Sequence, residues 1–524
     1  MKGARRDAGD QRYAATSYGI APGARPEATG APRPSGKEHR EPHVSPGGTR
    51  VPRRGLRGPR RGLPATAPGR LKLLRAAALA ASALLVATLV TTGLLTRSSW
   101  SDIRGHSAPQ VTSATGLYFT LGDMDAQLAN QLMLGATPGL ATDRRTAAQV
   151  YDQRRDEAAG HLRDLAEAAQ GDPSAEKTVA RAIADFGAYE EGAARALLLS
   201  DQASRPAGRT DPGALAAYRS ASQLMRTRLL PEADRLVTAN NDAFDTTAST
   251  ATGNLSSART AVLVTGGLLL AVLLALQLFL AARFRRNVNP ALAAASLIAL
   301  GVLVTATVQI SGQQHHLRVA RHDAFDSVAA LTRARAVAYD ANADESRYLL
   351  DQPHAAEHQR DFLAKSQQLM RLPSATLADY DARAAAAMGA YRADHNDLPF
   401  TGYFGDEFRN ITFDGERQAA ENVIAGYRTY QQDDRHLRAL VSSGHLTEAI
   451  QYCVSYRTGE SNWAFGRYDA ALLKLISINA HAYQQASAEG ADSSLSAPLG
   501  LSGGVAAVAA LAVLGLRPRL AEFR

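Results

Sequence analysis

Four stretches without a charged residue, 76–95, 261–282, 291–310 and 499–516, decide what this chain can be. At 1.5 Å per residue each is long enough to cross a hydrocarbon core of roughly 30 Å, the last at the short end. Arginine sets their direction. The first 75 residues hold 17 Lys and Arg against 5 acids, the hinge between spans two and three carries Arg283, Arg285 and Arg286, and the tail carries Arg517, Arg519 and Arg524. By the positive-inside rule these three segments are cytoplasmic. Residues 96–260 and 311–497 are then expected outside, in a multi-pass plasma-membrane protein with both termini inside.

The charge balance agrees with that topology. The chain is +8 overall, yet outside the cytoplasmic pieces 35 basic residues face 44 acidic ones. The excess positive charge flanks the membrane, so no nucleic-acid partner is expected. The single cysteine, Cys453, lies on the oxidising side without an intrachain partner. The region before span one is too long for a signal-peptide n-region, and no small-x-small cleavage site follows, so that span is read as a retained anchor.

Residues 1–70 hold ten of the 22 prolines, are rich in Gly and Arg, and show almost no apolar periodicity. Such a segment cannot bury enough surface to offset the entropy of ordering, so a disordered basic arm is expected. It serves either as a topogenic tail or as a dock for an acidic partner or anionic lipid. The hinge 283–290 and the tail 517–524 are too short to fold alone. Any cytoplasmic output therefore falls to a partner, with Arg283, Arg285 and Arg286 as the candidate contact.

The two outer segments begin alike. Asp125 and Asp340 stand at the same distance from the preceding span, as do Pro138 and Pro353, both pairs offset by 215 residues. Asn240 and Asn479 echo each other near the far ends. This is the signature of a duplicated unit. Within the units the period is helical: Leu317, Ala320, Ala324, Val328, Leu331 and Ala338 recur at three- and four-residue steps. Breakers near 137–139, 171–173 and 204–213 divide the first unit into four segments, with Asp or Ser available as caps. The expected fold is an all-α membrane protein: four transmembrane helices with two extracytoplasmic four-helix-bundle domains in tandem.

The second unit is longer, and residues 395–415 (HNDLPFTGYFGDEFRNITFDG) interrupt its helical pattern with aromatics and glycines. Two readings stand: a loop that contacts a ligand or partner, or a hydrophobic lid closing the membrane-distal end. Chemistry is harder to find. No HExxH, CxxC, GxSxG or phosphate loop is present, so no catalytic residue, cofactor or metal is expected and the chain is not read as an enzyme. Asp406, Glu407, Asp414 and Glu416 could in principle serve a glycan hydrolase. A solvated acidic loop is the plainer account. Inside the spans only Gln277 and Gln309 carry strong hydrogen-bonding side chains besides Ser and Thr, too few for a transporter.

Residues 405–420 (GDEFRNITFDGERQAA), 459–469 (GESNWAFGRYD) and 475–483 (LISINAHAY), with the span order, resemble the actinobacterial four-span membrane proteins of the GlnX type. The resemblance implies a relay. An extracytoplasmic solute-binding lipoprotein for glutamine, glutamate or aspartate would signal through the membrane to a soluble Ser/Thr kinase of the protein kinase G type, which controls 2-oxoglutarate and nitrogen metabolism. It transfers no binding residues. Interfaces are anchored by aromatics and arginines, so the candidate docking residues are Tyr403, Phe404, Asp406, Glu407, Arg409, Asn410, Ser461, Asn462 and Trp463. The expected partners are the lipoprotein, the kinase and membrane lipid, and a homo-oligomer is compatible with them. Two alternatives remain: a direct small-ligand chemosensor, which requires a pocket with convergent charged groups, and a structural envelope scaffold.

Overall fold

The computed structural model describes residues 67–284 and 289–521. The basic arm up to residue 66, and Arg285 and Arg286 of the hinge, lie outside the described residues. Among the described residues all regular structure is helical, apart from the isolated bridges Gly135–Pro206 and Arg371–Thr401. Four helices among the described residues are long and apolar enough to cross a membrane, and each runs on far past its apolar part. They span 58 to 71 residues, about 87 to 107 Å at 1.5 Å per residue.

Helix α1 (Ala67–Asp102) passes through a π-helical turn at Ile103–Ser107 into α2 (Ala108–Leu134). Gly135 stops it at φ +52°, where a Cβ would lie 2.3 Å from the Arg205 carbonyl oxygen. Then α3 (Ala141–Ala168) packs along α2 and leads to α4 (Pro173–Ala203), which Asp172 caps by accepting from Ser174 N at 2.9 Å and Ala175 N at 3.2 Å. Asp211 caps α5 (Pro212–Leu224) in the same way, each aspartate preceding a proline at the first helical position. A π-turn at Met225–Leu229 joins α5 to α6 (Leu230–Phe284), which includes span two.

The second half opens with α7 (Pro290–Arg318), a π-turn at Val319–Phe325, and α8 (Asp326–Leu350). Asn289 caps α7 and donates from Nδ2 to Gly515 O at 2.9 Å, tying the hinge to the end of span four. Six more helices follow: α9 (Ala355–Leu369), α10 (Tyr380–Ala393), α11 (Tyr403–Asn410), α12 (Glu416–Ser442), α13 (Leu446–Val454) and α14 (Ser461–Ala521). The second unit thus has more helices than the four expected, with α10, α11 and α13 as short additions.

Side chains of the spans divide by environment. Leu89, Leu273, Ala299 and Val508 face inward, while Leu94, Val264, Leu278, Leu297, Val308 and Leu514 point outward as a lipid-facing apolar surface. Gln277 ties α6 to α7, donating to Leu292 O and Ser296 Oγ at 3.2 and 2.8 Å. At the other end of the spans Trp100 Nε1 donates to Gln313 Oε1 at 2.9 Å, and Gln313 Nε2 donates to Gly490 O at 2.9 Å. That node fastens α1, α7 and α14 together.

Beyond the spans, α2 and α8 run side by side in parallel. Phe119 meets Tyr339 edge-on at 4.6 Å, Gly122 abuts the Asp340 backbone, and Ser346 Oγ donates to Asn130 Oδ1 at 2.9 Å. Partners lie 216 to 220 residues apart, close to the 215-residue offset of the repeat. The π-turns of the two through-going helices fall at corresponding places as well. The distal core does not respect the unit boundary: Tyr348, Leu350, Leu437, Ile450 and Cys453 pack with Leu128, Leu162, Tyr189 and Leu236.

Candidate functional site

The second half of α8 is buried on every side, and its polar residues are therefore forced into pairs. Arg347, 1% exposed, donates from Nε and Nη2 to Asp125 Oδ2 at 2.9 and 2.7 Å, and from Nη1 to Asp340 at 3.3 Å and to Asp344. Lys365 of α9 reaches Asp340 Oδ2 at 2.8 Å and Asp344 Oδ2 at 2.5 Å. Asp125 also accepts from Ser222 Oγ at 2.7 Å and from the Tyr189 and Tyr218 hydroxyls. Burial, reinforced by the Asp125 charge, raises both phenols well above their usual range, so they stay neutral donors. Burial works to raise Asp340, but Lys365 and Arg347 outweigh it and hold the carboxyl below its ordinary value.

This network forms the floor of a cleft of about 350 Å³ between the two units. One wall is the α5 to α6 strand of helix, with Arg219, Ser222 and Arg226; the other is the end of α8 and start of α9, with Asp351, Glu357 and His358. Arg219 Nε and Nη2 donate to Asp351 Oδ1 at 3.0 and 2.5 Å, and Arg226 Nη2 donates to Glu357 at 2.9 Å and Asp361 at 2.6 Å. His354 Nδ1 lies 3.1 Å from both Asp351 oxygens. His358 differs from these: it is 4% exposed, and neither ring nitrogen has a hydrogen-bond partner. Burial, then the Arg347 guanidinium, hold its imidazole below the ordinary value. Ligand atoms of Asp344, His358 and Asp361 all lie within 4.8 Å of one another.

The docking residues read from the sequence fall elsewhere and do not form one surface. Phe404, Glu407, Ser461 and Asn462 are buried, Asp406 and Arg409 are exposed and paired at 3.0 Å, and Tyr403 and Trp463 are half-buried. Phe404 is interior because it packs edge-on to Tyr427 and Tyr468. Ser461 is interior because its Oγ donates to Glu345 at 2.8 Å, a carboxyl that burial and then Asp434 push up to about 7. Glu345 stands 18 residues along α8 from Ser327, where Asn410 Nδ2 donates at 2.9 Å, which separates the two groups by about 27 Å.

The 395–415 segment is likewise not a lid on the membrane-distal end. It contains α11, Asn410 donates to the His322 and Asp323 carbonyls in the π-turn, and Phe413 packs on the span-side core. Glu407 on its inner face has no hydrogen-bond partner for either oxygen; burial and then neighbouring Glu416 push it up to about 8. Arg283 lies at the end of α6. The cleft residues had been missed. Their signal was the spacing of His354, His358 and Asp361, which puts all three on one helical face.

A family model described as an actinobacterial sensor domain matches residues 99–249. No curated protein and no solved structure matches the chain. The matched segment runs from the end of α1 into α6, so it supplies Asp125 and the Arg219 to Arg226 wall of the cleft.

Proposed function

We propose that this protein is a transmembrane signal sensor that takes a small extracytoplasmic ligand in the cleft between its two units. The four through-going helices then carry the change to the cytoplasmic side, where the termini and hinge lie. One observation carries the reading: the cleft's walls are helices that continue into spans two and three. A ligand that prefers one spacing of the walls biases the packing of those spans, on a usual scale of about 1–3 kcal/mol. The similarity of residues 99–249 to a sensor domain supports it.

The lipoprotein relay implied by the resemblance is the second reading. Exposed Asp406 and Arg409, with half-buried Tyr403 and Trp463, favour it as available contacts. A relay that docks a lipoprotein needs an outer face and no deep polar pocket, and the cleft weighs the other way. For output under either reading we propose a soluble cytosolic partner, a Ser/Thr kinase by the resemblance, engaging Arg283, Arg285 and Arg286. The tandem arrangement of two related bundles outside the membrane belongs to the same proposal.

The test places spin labels at outward-facing Leu278 and Leu297 in the full chain, whose single cysteine, Cys453, is buried. Charge reversals on either wall, Arg219→Glu and Glu357→Arg, break the pairs across the cleft and should shift the distance between spans two and three. Distances unchanged in both variants, with helicity intact, would overturn the sensor reading.

A further inference from the structure

We propose that the inner end of the cleft is a site for a divalent transition-metal ion, made by Asp344, His358 and Asp361. The inference rests on the sensor reading and names its ligand. Asp344 comes from α8, while His358 and Asp361 are three residues apart on α9 and so share its face. Carboxylate and imidazole at that spacing, projecting from facing helices, are how helix bundles hold metals in their cores.

Two observations beyond geometry point to a cation. His358 is buried, and among the described residues neither nitrogen has a hydrogen-bond partner, Nε2 standing 3.7 Å from Asp351 Oδ2, a costly state that a metal relieves by taking the lone pair of the neutral ring. The ion-pair network is also unbalanced. Among the described residues six carboxylates, of Asp125, Asp340, Asp344, Asp351, Glu357 and Asp361, face four permanent cations, of Arg219, Arg226, Arg347 and Lys365, with the titratable His354 and His358 beside Asp351. One imidazole with two carboxylates suits Zn²⁺, Fe²⁺ or Mn²⁺ better than Ca²⁺ or Mg²⁺.

The ligand atoms lie within 4.8 Å of one another, and bonds of roughly 2.0–2.2 Å to one tetrahedral ion, which set them about 3.4 Å apart, draw one member inward. Asp361 is that member, because its side chain is 33% exposed whereas Asp344 is fully buried. Asp361 now accepts from Arg226, which belongs to the opposite wall. Metal capture therefore takes Asp361 away from Arg226, loosening a contact between the units at the π-turn that leads into α6 and span two.

The experiment titrates Zn²⁺ into the tag-free full chain in detergent, after chelation, by calorimetry. One ion should bind per chain, Mg²⁺ should not compete, and His358→Gln should weaken binding at least tenfold. Arg226→Ala should tighten it, since it removes a competitor for Asp361, a change in the direction that misfolding does not give. Equal affinity in His358→Gln, or weaker binding in Arg226→Ala, overturns the site. Absence of Zn²⁺ binding while Arg219→Glu still moves the span labels removes the metal and leaves the sensor. Zn²⁺ binding without any movement of the labels does the reverse.

Discussion

Arg347 and Asp125 stand 222 residues apart in the chain, yet two guanidinium nitrogens of one converge on a single carboxylate oxygen of the other. The pair joins the first helix of one unit to the first helix of the next in a place water does not reach. Removing one partner of such a pair strands the other, at about 3–5 kcal/mol. Arg347→Met should lower the melting temperature of the purified protein sharply, and Asp125→Asn in the same chain should restore part of the loss. A wild-type melt for Arg347→Met would mean that the network does not hold the units together.

Stability should also depend on pH through Glu407. Its folded value is raised to about 8 from the ordinary 4.5, so its contribution is fully present below pH 4.5 and is lost as pH rises through 8. The slope is at most about 1.4 kcal/mol per pH unit. Melts between pH 5 and 8 should fall, and Glu407→Gln should flatten the fall and be the more stable form at pH 8. Glu345, raised to about 7, adds a residual slope of the same sign.

Gly402 sits at φ +83°, where an added Cβ would stand 2.5 Å from the Gln368 carbonyl oxygen. Gly402→Ala should therefore cost about 1–3 kcal/mol. Gly389, inside α10 with open space around its Cα, gives the contrast: Gly389→Ala should stabilise by about 0.5–1 kcal/mol. Thermal melts of the two variants should move in opposite directions.

Reporter fusions test orientation. Fusions at Gly171 and Gly402 should read as exported, and fusions within the hinge and after Arg519 as cytoplasmic. A cytoplasmic signal at Gly171 would reverse the charge argument.

For partner docking, buried and exposed candidates separate. Phe404→Ala should melt early because the ring is 1% exposed, whereas Arg409→Ala and Trp463→Ala should fold normally. If a lipoprotein docks here, the last two should weaken its capture from detergent extracts. Unaltered capture in both would move the dock off this face.

The spans and breaks of the chain were legible because each rests on local chemistry: uncharged runs for the spans, Asp172-Pro173 and Asp211-Pro212 for two helix starts. The matched spacing of Asp125 and Asp340 was legible too, and both carboxylates accept from Arg347. What could not be read was tertiary. Asp344, Glu345 and Arg347 look like an ordinary charged helix face until α2 and α9 enclose them. Phe404 and Glu407 looked available for docking because nothing local shows that Tyr427, Tyr468 and Glu416 close around them. The grouping around Asp344 needs α8 beside α9, so only the His358 and Asp361 face of α9 was written in the sequence.

The π-turns at Ile103–Ser107 and Val319–Phe325 affect how rotation passes along the molecule. A π-turn closes its bonds over five residues instead of four and so holds one surplus residue, worth about 100° of azimuth at 3.6 residues per turn. The angular phase of spans one and three is thereby offset from that of α2 and α8. Since both halves hold their surplus at matching heights, a slip of one residue in each would turn both helices by the same angle, as meshed gears turn, with no tilt of either shaft.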